Sequence, residues 1–139
     1  MGLLLMTELD CTMAAAFASC GKQEDVNKVY LTLLRTTLFV PVKKEKSSNE
    51  EEPFEPLFAK IDGQFFMLAF DTVERLTAWA GDQLSNIAYV EIIGRDVIAG
   101  INEQVYLGLN HGTEFYKEFM PDEVKRLKMI VARIDQLKE

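Results

Sequence analysis

The sequence predicts an α/β fold: a mixed, partly antiparallel sheet of about five strands with helices on both faces, in the order ααβββαβαβα. Three observations carry this. Gln64–Phe70 and Ile87–Ile93 are apolar runs too short for helices and rich in aromatic or β-branched residues, as buried strands are. Between them, Val73, Leu76, Trp79 and Ala80 fall on one helical face, with Gly81 to stop the helix. Asp62-Gly63, flanked by apolar runs on both sides, is a two-residue hairpin signal. The stretch from Gln64 to Gly94 is expected to form a right-handed parallel strand–helix–strand unit. An Asp71…Glu74 capping box would open its helix.

The chain begins with a helix capped by Thr7 and Asp10 and running to Cys20, its stripe formed by Leu9, Met13, Ala16, Phe17 and Cys20, and Gly21 ending it. Glu24-Asp25 open a second helix that buries Val26, Val29, Tyr30 and Leu33. The first strand is expected over Leu34–Val42, with Pro41 marking an edge or the strand's end because it has no N–H for the ladder. Within it, Arg35 is either a snorkelling edge residue or the partner of a buried anion. Lys43–Glu52 is polar and of mixed charge, a solvated surface loop. Leu57–Ile61 gives the second strand, an antiparallel neighbour of the third through the Asp62-Gly63 turn. Gly94-Arg95-Asp96 leads into a short helix over Val97–Ile101. A fifth strand, Val105–Leu109, is expected parallel to the fourth. Pro121-Asp122-Glu123 open the last helix with acids at its positive end; Val124, Leu127, Ile130, Val131, Ile134 and Leu137 form its apolar face.

At 139 residues the chain fits one domain, residues 1–139, with mobile first residues and the polar loop 43–52. It can bury roughly two-thirds of its unfolded surface and needs no metal or disulfide to fold. The formal net charge is −7, from 22 acidic and 15 basic residues, with no basic patch, so neither nucleic acid nor a membrane surface is an expected partner. Cys11 and Cys20, if on one helix, lie roughly 13 Å apart along its axis, beyond disulfide reach. They fit a reducing compartment. No run approaches the roughly 18 apolar residues of a membrane span. Phe17-Ala18-Ser19-Cys20 is similar to a lipoprotein cleavage site, but no Lys or Arg precedes Lys22, and Glu8 and Asp10 interrupt the apolar stretch; a secretory signal has the opposite arrangement. The expected location is the cytoplasm.

Together, Thr37–Val42 ending in Val-Pro-Val, the hairpin into an apolar strand, and the helix signature Asp71, Glu74, Arg75, Leu76 and Trp79 resemble a known family. So do the last strand ending in Leu109-Asn110, the small-residue turn after it, and the Pro121-led amphipathic helix. The chain resembles the N-terminal domain of the SseB, or enhanced serine sensitivity, family of bacterial proteins from about Glu8 to Leu137. The resemblance implies an intracellular bacterial domain, and the family name records a phenotype rather than a reaction. Where the family's turn usually reads Asn-Pro-Gly-Ser, this chain reads Asn110-His111-Gly112-Thr113, which removes the rigid proline.

The one histidine, His111, sits just past the carboxyl end of a strand, where open α/β sheets tend to hold ligands. Asn110, His111, Gly112 and Thr113 are therefore the candidate ligand-binding residues, and Glu114 could converge with them. No nucleophile or second base stands at a spacing that would make His111 catalytic, so no enzyme activity and no catalytic residue are expected. Neither metal-ligand spacing nor a phosphate-cradling glycine loop occurs, and no cofactor is expected. Phe115, Tyr116, Phe119 and Met120 lie in a connection of undefined structure and are the candidate partner surface. The leading reading is a non-enzymatic protein-interaction or adaptor module whose partner is another protein or a second copy of the chain. The alternative is a small-molecule sensory domain, with an enzyme third.

Overall fold

The computed structural model describes residues 7–43, 57–113 and 115–137. The first six residues, and the expected polar loop apart from Lys43, lie outside the described residues. Five helices and six strands form among the described ones: α1 Glu8–Ala18, α2 Gln23–Arg35, β1 Thr37–Lys43, β2 Phe58–Ile61, β3 Gln64–Ala69, α3 Val73–Ala80, β4 Ile87–Ile93, α4 Gly94–Gly100, β5 Tyr106–Leu109, β6 Lys117–Phe119 and α5 Pro121–Leu137. A 3₁₀ turn, Gly81–Asn86, joins α3 to β4.

Local sequence sets most of these boundaries. Thr7 and Asp10 form the expected capping box, with Thr7 Oγ1 accepting from the Asp10 N–H and the Asp10 carboxylate accepting from the Thr7 N–H. Asp62 (φ 51°) and Gly63 (φ 80°) are both left-handed, as the primed turn between β2 and β3 requires. The first strand starts at Thr37 rather than Leu34, because α2 continues to Arg35 and buries Leu33 and Leu34 on its inner face. Arg35 thus ends a helix, exposed, and pairs with Glu8 at 2.5 Å. The α1 stripe is shorter than expected: Leu9 is buried and Met13 and Ala16 half-buried, but the helix stops at Ala18, leaving Phe17 and Cys20 exposed. Cys11 and Cys20 are free thiols on the surface.

The sheet departs from the expected topology. β3 and β4 do not form a parallel unit; β4 pairs antiparallel with β1, from Thr37↔Ile93 to Lys43↔Ile87. The strand parallel to β3 is β5, from Phe66↔Tyr106 to Ala69↔Leu109, so β5 does not run beside β4. Both sides of β3 are already taken, one by β2 through the hairpin and the other by β5. After Gly81 the chain is carried to β1, where Val90 and Ile92 pack against the core that holds Leu38 and Val40. In place of one five-stranded sheet there are two ladders, β1-β4 and β2-β3-β5-β6. They join where Phe39 and Phe70 exchange two backbone bonds, of 2.7 and 3.0 Å, and where the Leu57 N–H donates to the Pro41 carbonyl. The sixth strand, β6, falls in the segment taken from sequence as an undefined connection; it pairs antiparallel with β5.

Alternation along β3 sends Met67 and Ala69 to one face and Phe66, Leu68 and Phe70 to the other. The first face meets α1, α2, α4 and α5 over the larger core, and the second meets α3 through Leu76 and Trp79. Helices therefore cover both faces. Gly94 is required where α4 crosses α2: a Cβ there would lie 1.9 Å from the Leu33 carbonyl oxygen. No helix of the described residues is long and apolar enough to cross a membrane.

Candidate functional site

β3 and β5 end side by side at Ala69 and Leu109, so Asp71, two residues past β3, meets Asn110, the residue after β5, at one end of the sheet. The Asp71 N–H donates to Asn110 Oδ1 at 3.1 Å. Asp71 does not cap α3, as the Asp71–Glu74 spacing suggested. The cap is Thr72, whose hydroxyl accepts from the Arg75 N–H at 3.2 Å. The Asp71 carboxylate turns inward to Arg75, one helical turn on, at 2.8 Å. Arg75 is 0% exposed, the largest fully buried side chain among the described residues. Asp10, brought by the first turn of α1, grips the same guanidinium with both oxygens, at 3.0 and 2.5 Å. The Thr7 hydroxyl donates to the second Asp71 oxygen at 2.6 Å. The Phe115 ring lies 4.2 Å from the guanidinium carbon, in cation–π contact.

Electrostatics explains this composition. Arg75 lies in the first turn of α3, at the positive end of the helix dipole, where a cation is disfavoured. Two carboxylates offset that field, and Asp10 is itself well placed in the first turn of α1. Burial works against the Arg75 charge, but hydrogen bonding to Asp10 and the charges of Asp71 and Asp10 outweigh it and hold the guanidinium pKa above its ordinary value. These groups are shut from solvent and face one another, so the cluster ties α1, α3 and the ends of β3 and β5 together. That arrangement positions elements rather than presenting a charge to a substrate.

The candidate ligand residues stand beside it. Asn110 is fully buried, in a left-handed conformation (φ 56°), and its Nδ2 has no hydrogen-bond partner among the described residues. His111 is half-buried, packs edge-on against Tyr116 with centroids 5.2 Å apart, and has a buried Nδ1 that also lacks a partner among the described residues. Gly112 (φ 81°) lies over Trp79. Thr113 folds back, its hydroxyl donating to the Asn110 carbonyl at 2.8 Å and accepting from the Phe115 N–H at 3.1 Å. Thus Asn110 faces inward to Asp71 and Thr113 closes the turn, while Glu114 lies outside the described residues. Among the described residues no three His, Cys, Asp or Glu side chains gather as a metal site would need.

The candidate partner residues divide. Tyr116 and Met120 are exposed, at 38% and 51%. Phe115 is half-buried beneath Arg75, and Phe119 is fully buried in the larger core, so Phe119 belongs to no surface. Burial and then hydrogen bonding to Glu118 push the Tyr116 pKa up to about 12. A more extensive apolar surface lies elsewhere. Between α1 and α2, Met13, Ala16, Phe17, Val26, Val29 and Tyr30 line an open cleft of about 530 Å³. Lys117 and Glu123 edge it, 3.6 Å apart, and the Tyr30 hydroxyl donates to Glu123 at 3.0 Å. Phe17 stands at this cleft 88% exposed.

Sequence reasoning missed both features. For the ion cluster a signal existed: Asp71 and Arg75 are four apart, the spacing of a helical ion pair. Nothing local announces Asp10, which is 65 positions from Arg75. The cleft was hidden because Phe17 and Val26 read equally well as core.

No curated protein and no solved structure matches the chain. A family model, the SseB protein N-terminal domain, matches residues 12–126, from within α1 to the first turns of α5, a span that takes in Arg75, Asp71, Asn110 and His111. The expected resemblance therefore holds, and the chain belongs to the SseB protein N-terminal domain family.

Proposed function

We propose that this domain is a non-catalytic, cytoplasmic protein-interaction module that takes an apolar segment of another protein into the α1–α2 cleft. The observation that carries this reading is the apolar cleft with Phe17, 88% exposed, at its edge. A large aromatic left in water beside an apolar hollow gains from being covered, about 25 cal/mol per Å² of apolar surface removed from water. The charged groups speak in the same direction, since Arg75, Asp10 and Asp71 satisfy one another inside the fold. The test is a photo-crosslinking residue placed at Ala14 beside the cleft, in cells carrying wild type, Phe17→Asp or Met129→Asp on the far helix. A discrete adduct shared by wild type and Met129→Asp but lost with Phe17→Asp supports the module. An adduct indifferent to Phe17, or none, counts against it.

A second reading, a small-molecule sensor, draws on the unpartnered Asn110 Nδ2 and His111 Nδ1. A thermal-shift screen against amino acids, nucleotides and divalent metals tests it. Ligand at a hundred times its dissociation constant adds roughly 2.7 kcal/mol to stability. A shift abolished by His111→Ala would favour the sensor, and a flat screen would count against it.

A further inference from the structure

Among the strands that end the two ladders, β4 and β6 are protected very differently. β6 is three residues long and carries Lys117 and Glu118, a short charged strand of the kind that resists pairing with other chains. β4 is seven residues long, IAYVEII, with one charge, no proline and no bulge along its register with β1. Only β1 pairs with it among the described residues.

Parity in the ladder shows which groups of β4 are open. Phe39 directs its backbone groups to Phe70, and Pro41 its carbonyl to Leu57, so the odd positions of β1 face away from β4. The even positions, Leu38, Val40 and Val42, therefore bond to Ile92, Val90 and Ala88, and the Gly94 N–H to Thr36 carbonyl bond of 2.7 Å continues that series. The backbone groups of Ile87, Tyr89 and Glu91 and the N–H of Ile93 point outward, while the Ile93 carbonyl serves as N-cap acceptor for α4. On the exposed face of this strand Tyr89 is 44% and Ile93 37% exposed, and Tyr89 extends an aromatic strip from Phe39, 5.6 Å away.

We propose that two copies of this chain associate through β4, antiparallel about a two-fold axis at Val90. The charge pattern is compatible with self-pairing. Outward positions pair odd with odd, and the register that engages all four places Ile87 opposite Ile93 and Tyr89 opposite Glu91 of the second copy. Each Tyr89–Glu91 pair exchanges two bonds, and each Ile87–Ile93 pair makes one because the Ile93 carbonyl already accepts the first bond of α4, so the seam holds about six backbone hydrogen bonds. This full-overlap register also keeps the single carboxylate of β4 from meeting its own copy, which a shift of the axis to Glu91 would force. The interface is isologous and closes at two copies. It lies in a different ladder from β6, whose Lys117 borders the α1–α2 cleft, and so stands or falls separately from the cleft.

Sedimentation equilibrium of the 139-residue chain from about 1 to about 300 μM tests the seam. Wild type is expected to be a reversible dimer. Tyr89→Glu sets two like-charge pairs across the seam, and Tyr89→Lys sets two opposite-charge pairs. Both lose the Phe39 contact alike. The dissociation constant of Tyr89→Glu should exceed that of Tyr89→Lys by about tenfold or more. The swapped double variant, Tyr89→Glu with Glu91→Lys, restores opposite charges and should recover the dimer, which also shows that the glutamate variant folds. A monomeric wild type across this range overturns the proposal, as does a dimer that all variants share unchanged, or one that the glutamate and lysine variants weaken equally.

Discussion

Arg75 shows how one residue can organise a region without touching a ligand. Its guanidinium is 0% exposed and held by two carboxylates and an aromatic ring, so truncation strands Asp10 and Asp71 as buried, uncompensated charges. Arg75→Ala is expected to lower stability by about 3–5 kcal/mol in urea unfolding. Arg75→Lys should recover little of that, because an ammonium cannot match the two-oxygen grip of Asp10. The four-residue spacing of Asp71 and Arg75 carried a signal of an ion pair, but Asp71 read first as a helix cap. Asp10 was legible only as a cap, since a carboxylate that serves a helix terminus gives no sign of a second, distant partner. Tyr116 offers a spectroscopic handle on the same neighbourhood. Burial and Glu118 favour its neutral form up to a pKa of about 12, so its contribution to stability is complete below the ordinary tyrosine pKa near 10 and is lost as pH rises toward 12. Alkaline titration by ultraviolet absorbance should show a late phase, reduced by Tyr116→Phe.

Among the elements, α3 separates what sequence spacing suggests from what geometry uses. Asp71 and Glu74 have capping-box spacing, yet Thr72 makes the cap and Asp71 serves Arg75. Thr72→Ala should therefore cost about 1 kcal/mol, whereas Glu74→Ala should leave the melting temperature nearly unchanged. Adjacent Asp and Thr are both good caps, and the choice between them depends on tertiary contacts that a local pattern does not contain. The same holds for strands. The hairpin between β2 and β3 was legible because two residues fix its geometry, and β4 was legible in extent because β-branching marks it. The partner of β4 was not, because pairing is settled by which sides of β3 are already occupied. β6 was missed because three residues carry no alternation. At the crossing of α2 and α4, Gly94→Ala forces a methyl group onto the Leu33 carbonyl and should destabilise the protein by about 1–3 kcal/mol in chemical denaturation.

For the molecule as a whole, acidity and apolar surface act against each other. A net charge of −7 keeps copies apart at low ionic strength, while the proposed β4 seam and the proposed α1–α2 docking would draw on hydrogen bonds and apolar contact. Raising salt from about 10 to about 150 mM shortens the screening length from roughly 30 to roughly 8 Å. Self-association measured by light scattering should strengthen over that range rather than weaken. Fold class and family were readable from the chain because core periodicity and turn residues are local properties. The surfaces were harder to read because Phe17, Tyr89 and Phe119 look alike in one dimension, and only packing decides that the first two meet water and the third does not.

The buried ion cluster also bears on where this domain can be cut. The family match begins at residue 12 and ends at 126, but Thr7 and Asp10 lie before the first boundary, and Leu127 and Val131 of the core lie beyond the second. A fragment trimmed to the matched span would take Thr7 and Asp10 away from the Arg75 cluster and would open the larger core along half of α5. A fragment of residues 12–126 is therefore expected to unfold at lower urea than the 139-residue chain.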